Sequence, residues 1–172
     1  GRKKLQDRGM KVFSIVKFFQ LCMECNPNMI DSLFVPQNCI IHSTAIGQLV
    51  RKNRKLFLHK GAWFKFKGYS YSMVHKMQTK NPQGKRKEIV DKFGFDSKFA
   101  YHTVRLLNEI EQILLEGDLD LQRNNEQLKS IRRGEWTVEQ IIEYFNTKEK
   151  SLEELYIKST LPNYPDEQII KN

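Results

Sequence analysis

The stretch from Lys98 to Leu115, KFAYHTVRLLNEIEQILL, constrains the fold of this chain more than any other. Phe99, Thr103, Leu106, Leu107, Ile110, Ile113 and Leu114 recur at three- and four-residue spacing, which on an α-helix builds one continuous apolar stripe. Asp96 or Ser97 caps such a helix and Gly117 ends it. Lys98, His102 and Arg105 then fall together on the other side, at i, i+4 and i+7, with Tyr101 beside them. A row of nitrogen donors suits phosphate or another anion. The polar face of any amphipathic helix also collects charge, and Glu109 lies one turn from Arg105, where it forms an ordinary i,i+4 pair. Spacing alone leaves both readings open.

Charge narrows the partners. Residues 1 to 90 hold 18 Lys and Arg against the four acids Asp7, Glu24, Asp31 and Glu88, a net of +14, whereas residues 91 to 172 hold 11 against 16, a net of −5. A basic half with so few acids attracts polyanions, which points to nucleic acid or nucleotides as partners. No apolar run approaches the roughly twenty residues that cross a bilayer, and the start GRKKLQDRG has no apolar segment of a signal peptide. The expectation is a cytoplasmic protein without a membrane partner. Cys22 and Cys25, in CMEC, superficially suggest a redox or metal motif. They sit in an apolar helical pattern with no second ligand pair at zinc spacing, and read as buried thiols.

Along the chain the patterns predict a mainly α-helical single domain over residues 1–172, with five to seven helices and at most two short strands. One strand would end at residues 10–13 and another would run from Cys39 to His42. Ser14 caps a helix to about Cys25, with Ile15, Val16, Phe19 and Met23 inward, and Asn26-Pro27-Asn28 stops it. Short helices follow at Met29 to Phe34 and Ala45 to Arg51, the second capped by Thr44. Residues 14–80 form a basic helical half, 81–90 a polar surface loop, 91–160 an acidic helical half and 161–172 an irregular tail. In the acidic half Asn124 to Arg133 is helical and stopped by Gly134, and Thr137 with Gln140 starts a longer helix through Tyr156.

Two further segments carry chemistry. KNRKLFLHKGAWFKFKGYSYSMVHKM interleaves cations with aromatics, as a nucleic-acid surface does and as a helix pair with one wet face also does. In IRRGEW, Arg132, Arg133 and Trp136 surround a helix stop, either gripping a phosphate and a base or offsetting the helix dipole while the indole packs. Asp118 and Asp120 alternate as a metal-binding pair on a strand would, but follow a helix end and read as a polar connection. There is no Gly-rich phosphate loop, no Ser-His-Asp order and no His/Cys metal spacing.

Four segments in order, FSIVKFFQLCMECNPNMIDSLFVP, NRKLFLHKGAWFKFKGYSYSMVHKM, KFAYHTVRLL and SIRRGEWTVEQII, resemble the C-terminal part of nucleotidyltransferases of the DNA polymerase β superfamily, the RNA-ligase-associated group. The resemblance covers residues 10 to about 165. It implies transfer of a nucleotidyl group from a nucleoside triphosphate (NTP) to a nucleic-acid or other acceptor. It also implies a Gly-Ser turn, two aspartates one residue apart and a third carboxylate, which together hold two Mg2+ ions. The family carries the first two of these upstream of the NP-containing helix, so a missing N-terminal catalytic region is expected to supply the metal ligands. With no catalytic residue of its own beyond Asp7 as a candidate third carboxylate, the chain is expected to be incomplete for catalysis.

On that resemblance Lys98, His102 and Arg105 contact triphosphate or acceptor phosphate, and Tyr69 and Tyr101 position base or sugar. Arg51, Arg54, Lys55 and Lys60 form a polyanion track, to which Arg132 and Arg133 add. The competing reading is a non-catalytic nucleic-acid or nucleotide-binding module. A third, a protein-interaction module, would use Glu139, Glu143, Glu149, Glu153 and Glu154 on the last long helix.

Overall fold

The computed structural model describes residues 13–79 and 83–166. Among them it contains eight α-helices and two 3-10 turns, Gln37–Cys39 and Arg54–Phe57, with no strand. In chain order the helices are α1 (Ile15–Met23), α2 (Pro27–Phe34), α3 (Ala45–Lys52), α4 (Ala62–Thr79), α5 (Lys85–Phe93), α6 (Ser97–Glu116), α7 (Asn125–Arg132) and α8 (Val138–Lys158). The mainly α expectation is met.

The hub is α6, which packs against α4, α7 and α8. Its whole apolar stripe is buried, Asp96 Oδ1 accepts from the Lys98 and Phe99 N–H groups at 3.1 and 3.4 Å, and Gly117 ends the helix at φ 62°. More is buried than the stripe, because Asn108, Glu109 and Gln112 are covered as well. Two of these polar groups are satisfied locally. Gln112 exchanges bonds with both backbone groups of Asp120, at 2.8 and 3.2 Å, and Asn108 donates to Gln127 and accepts from Tyr144. Burial with partners costs little, whereas an unpaired polar group would be expensive. Glu109 is the exception and belongs to the site below.

Two apolar clusters flank α6. The larger joins Cys22, Ile30, Phe57, Trp63, Phe66, Leu107, Ile110 and Leu152, and the smaller joins Phe95, Val104, Leu128, Ile131 and Ile141. α7 stops at Gly134, whose φ of 78° is left-handed and whose missing Cβ leaves room for the Phe93 ring. The predicted capping box closes α8, with Thr137 and Gln140 exchanging bonds at 2.8 and 3.2 Å.

Five expectations need correction or narrowing, the first being the count: eight helices lie among the described residues where five to seven were expected, the added one within the segment read as a loop. The helix at Lys85–Phe93 occupies most of the segment read as a surface loop; Lys85, Lys87 and Glu88 are adequate helix formers, and charge obscured the pattern. Cys39 to His42 has no strand neighbour: Cys39 ends a 3-10 turn and Ile41 is fully exposed, because extended chain is stabilised as a strand only by a ladder partner. α2 starts at Pro27, two residues before the predicted start, since proline suits the first helical position. Ile15 and Val16 are 56% and 75% exposed, while Phe18, Phe19, Cys22 and Met23 pack, because the first turn of α1 projects past the core. The strand at residues 10–13 falls almost wholly outside the described residues, as do Asp7 and the last part of the tail.

Candidate functional site

Three helices converge on a pocket of about 210 Å3. Pro27 and Asn28 come from the start of α2, Tyr69 and Met73 from α4, and His102, Arg105 and Leu106 from α6. The turn before α2 sets this geometry. α1 ends in a 6→1, 5→2 pair of bonds, Asn26 N–H to the Leu21 carbonyl at 2.9 Å and Cys25 N–H to that of Cys22 at 3.0 Å. Cys25 there takes a left-handed φ of 53°, held by burial and by its thiol donating to the Phe57 carbonyl at 3.1 Å. Burial pushes both the Cys22 and Cys25 thiols up to about 12, so they are structural.

Asn26 then caps α2. Its Oδ1 accepts from the Asn28 and Met29 N–H groups at 3.1 and 3.4 Å, which leaves its amide to donate to the Tyr69 hydroxyl at 3.1 Å. Two backbone donors thus fix the amide's orientation. The phenol is an acceptor in this bond and keeps its own proton for a further acceptor.

Arg105 is held differently. Its Nη1 lies 3.6 Å from Asp31 Oδ2 and its Nε 3.8 Å from Glu109 Oε1, both longer than a hydrogen bond. Asp31 Oδ1, Glu109 Oε2 and Arg105 Nε are buried without a hydrogen-bond partner. Burial, together with the adjacent Asp31 charge, holds the Glu109 carboxyl well above the usual glutamate range. Burial also raises Asp31, against the opposing pull of Glu109 and Arg105. Two like charges side by side in a dry place ionise together only at a cost, which is why both carboxyls are raised.

Three of the five sequence-predicted nucleotide residues, Tyr69, His102 and Arg105, therefore line one pocket. Lys98 is exposed one turn earlier and does not line it. Tyr101 turns toward α7, where the Arg132 guanidinium lies 4.1 Å from its ring centroid; its ring and that of His102 meet in a T shape with centroids 5.4 Å apart. Asn28 and Asp31 were not singled out from sequence. Glu109 was, as the i,i+4 partner of Arg105.

The predicted polyanion residues divide. Arg51 and Arg54 line a second, polar pocket of about 370 Å3 together with Lys52. Lys55 pairs with Asp118 at 3.2 Å, Lys60 sits over the Tyr156 ring at 4.8 Å, and Arg133 pairs with Glu135 at 2.7 Å. Trp136 donates to Ser130 Oγ at 2.9 Å and packs edge-on to Tyr144. Phe57, Trp63 and Phe66, among the interleaved aromatics, belong to the core. On the acidic helix Glu149 and Glu153 hold Lys67 at 3.3 and 3.1 Å, so part of that face is an internal bridge between α8 and α4. Asp118 and Asp120 accept from the Leu119 and Gln122 N–H groups at 2.8 and 3.0 Å, as a polar connection does. Among the described residues no group of three or more His, Cys, Asp or Glu side chains is placed to hold a metal ion. Asp7, the candidate third carboxylate, lies outside them.

No curated protein and no solved structure matches the chain. A family of known sequences does, described as the RNA repair pathway DNA polymerase beta family, and the match runs over residues 3–160, which include every residue of both pockets. The chain belongs to the RNA repair pathway DNA polymerase beta family.

Proposed function

We propose that the chain is the substrate-binding helical region of a metal-dependent nucleotidyltransferase that moves a nucleotidyl group from an NTP to a nucleic-acid acceptor. The reading rests on one observation: residues from α2, α4 and α6 that suit phosphate and sugar converge on a single pocket. At about 210 Å3 the pocket is below the usual several hundred for a whole ligand, so it takes one end of the nucleotide. On this reading the carboxylates that would hold magnesium come from the catalytic region that the family resemblance implies. When bound, magnesium would neutralise triphosphate oxygens and activate the attacking hydroxyl.

This chain's own residues orient the substrate. An arriving triphosphate competes with Asp31 and Glu109 for Arg105, whose guanidinium is already aimed by them. His102 lines the pocket within reach of a phosphate oxygen, and Tyr69 donates its remaining proton to a phosphate or sugar oxygen. Met73, Leu106 and Pro27 supply an apolar wall. Titration of the protein with each of the four magnesium NTPs tests this. His102→Ala and Arg105→Lys should each weaken binding about tenfold or more, the loss of one charge-assisted bond. Unchanged affinity in both would sink the assignment. A second reading, a non-catalytic nucleic-acid-binding module, is favoured by the cation pocket at α3; it differs in predicting no magnesium-dependent incorporation of labelled nucleotide.

A further inference from the structure

The second pocket lies where the C-terminal end of α2 meets α3. Arg51, Lys52 and Arg54 line it with Gln37, Ser43 and Gln48, and no carboxylate does. Neutral groups hold both arginines. Arg51 Nη1 donates to the Leu33 carbonyl at 3.3 Å, Arg54 Nη1 donates to the Arg51 carbonyl at 3.0 Å, and the Arg54 guanidinium lies 5.1 Å from the Phe34 ring centroid. Their positive charge is therefore not cancelled where they are anchored. Asp118, whose carboxylate feels Arg54, pairs with Lys55 at 3.2 Å and does not line the pocket.

Arg54 Nε is buried without a hydrogen-bond partner. Buried donors are normally satisfied, so the cation-lined pocket adjoins a guanidinium whose hydrogen-bonding capacity the protein itself does not use up. The location adds to this. Asn28 near the start of α2 lines the first pocket, and Leu33 and Phe34 at its end carry the arginines of the second. A helix of eight residues is about 12 Å long. A short stretch of single strand bridges that distance.

We infer that the Arg51, Lys52 and Arg54 pocket is a phosphate subsite for the acceptor, taking a backbone phosphate of an RNA strand whose end reaches the nucleotide pocket. This rests on the nucleotidyltransferase reading above. The shared chemistry is a phosphate group, and free phosphate is the other source of it.

The test uses the full chain and the double variant Gln48→Glu with Lys52→Glu, both on the exposed face of α3 and neither holding the fold together. A fluorescent ten-nucleotide RNA should bind wild type with an affinity that falls with salt. In the variant its affinity should drop roughly tenfold or more at low salt, and the log–log salt slope should flatten by about 0.7 for each phosphate no longer neutralised. Magnesium NTP affinity and melting temperature should not move. Arg54→Lys, which keeps the charge and removes the buried donor, should weaken RNA binding as well. Wild-type RNA affinity and slope in the double variant would overturn the subsite. Competition by inorganic phosphate as effective as by RNA would overturn the strand assignment. RNA binding that responds to these variants while no NTP binds at all would keep the subsite and remove the nucleotide reading; NTP binding with an unresponsive RNA arm would do the reverse.

Discussion

Arg105 and Arg54 are both partly buried arginines at opposite ends of α2, and they are anchored by opposite chemistry. Arg105 sits between the carboxyls of Asp31 and Glu109, whereas Arg54 rests on a carbonyl and a phenyl ring. A carboxylate anchor aims a guanidinium and offsets part of its field, so a ligand must compete for it; a neutral anchor aims it and leaves the field for a ligand. The same contrast runs through the basic half. Lys55 and Lys67 are matched by acids and Lys60 lies against an aromatic ring, so the net charge of residues 1 to 90 overstates what a polyanion meets. Among the described residues, the pocket at α3 gathers three cations with no carboxylate in its lining.

The largest expected effect separates the two arginines by stability. Arg105→Leu leaves two buried carboxyls without a cation and should cost about 3 kcal/mol, whereas Arg54→Leu strands no charge and should cost about 1 kcal/mol. For a domain of this size thermal melts should fall by roughly 6–12 °C and 2–4 °C respectively. Equal losses would break the comparison.

The next effect is in pH. The native Glu109 carboxyl binds its proton more tightly than the unfolded one, so the native state holds more protons above the ordinary glutamate value. Its contribution is then greatest below that value and is lost as pH rises toward the raised one, by about 1 kcal/mol per pH unit. Glu109→Gln should flatten this slope in melts between pH 4 and 8, and the Arg105→Leu deficit should shrink in acid, where the carboxyls are neutral. A variant slope as steep as that of wild type would place the titrating group elsewhere.

Tyr69→Phe removes the acceptor for the Asn26 amide and should cost about 1 kcal/mol while weakening NTP binding. The smallest test concerns the turn that seats α2. A thiol reagent should label Cys39 alone in the native protein and all three cysteines in denaturant, because Cys22 and Cys25 are buried. Native labelling of Cys25 would mean that the frame behind the nucleotide pocket opens readily.

Local signals were legible in the sequence. The α6 stripe with Asp96 and Gly117, and the Thr137 and Gln140 box, depend on residues within a few positions of one another. The Arg105 and Glu109 pair follows from helix spacing in the same way. Asp31 does not, because it meets Arg105 only once α2 packs beside α6, and no periodicity reports that crossing. Lys98, Tyr101, His102 and Arg105 do share one helix, but α7 draws Tyr101 to a different side through Arg132. The charged segment at 85–93 hid a helix because its apolar residues, Ile89, Val90 and Phe93, are few.

The most direct measurement is photo-crosslinking with an azido-NTP and magnesium, followed by mapping of the modified peptides. A label on α4 around Tyr69 to Met73 or on α6 around His102, lost in Arg105→Lys, is the predicted result. A label confined to the α3 pocket, or to the acidic cleft beside Trp136 and Glu143, would contradict the assignment of the nucleotide to the pocket that α2, α4 and α6 build.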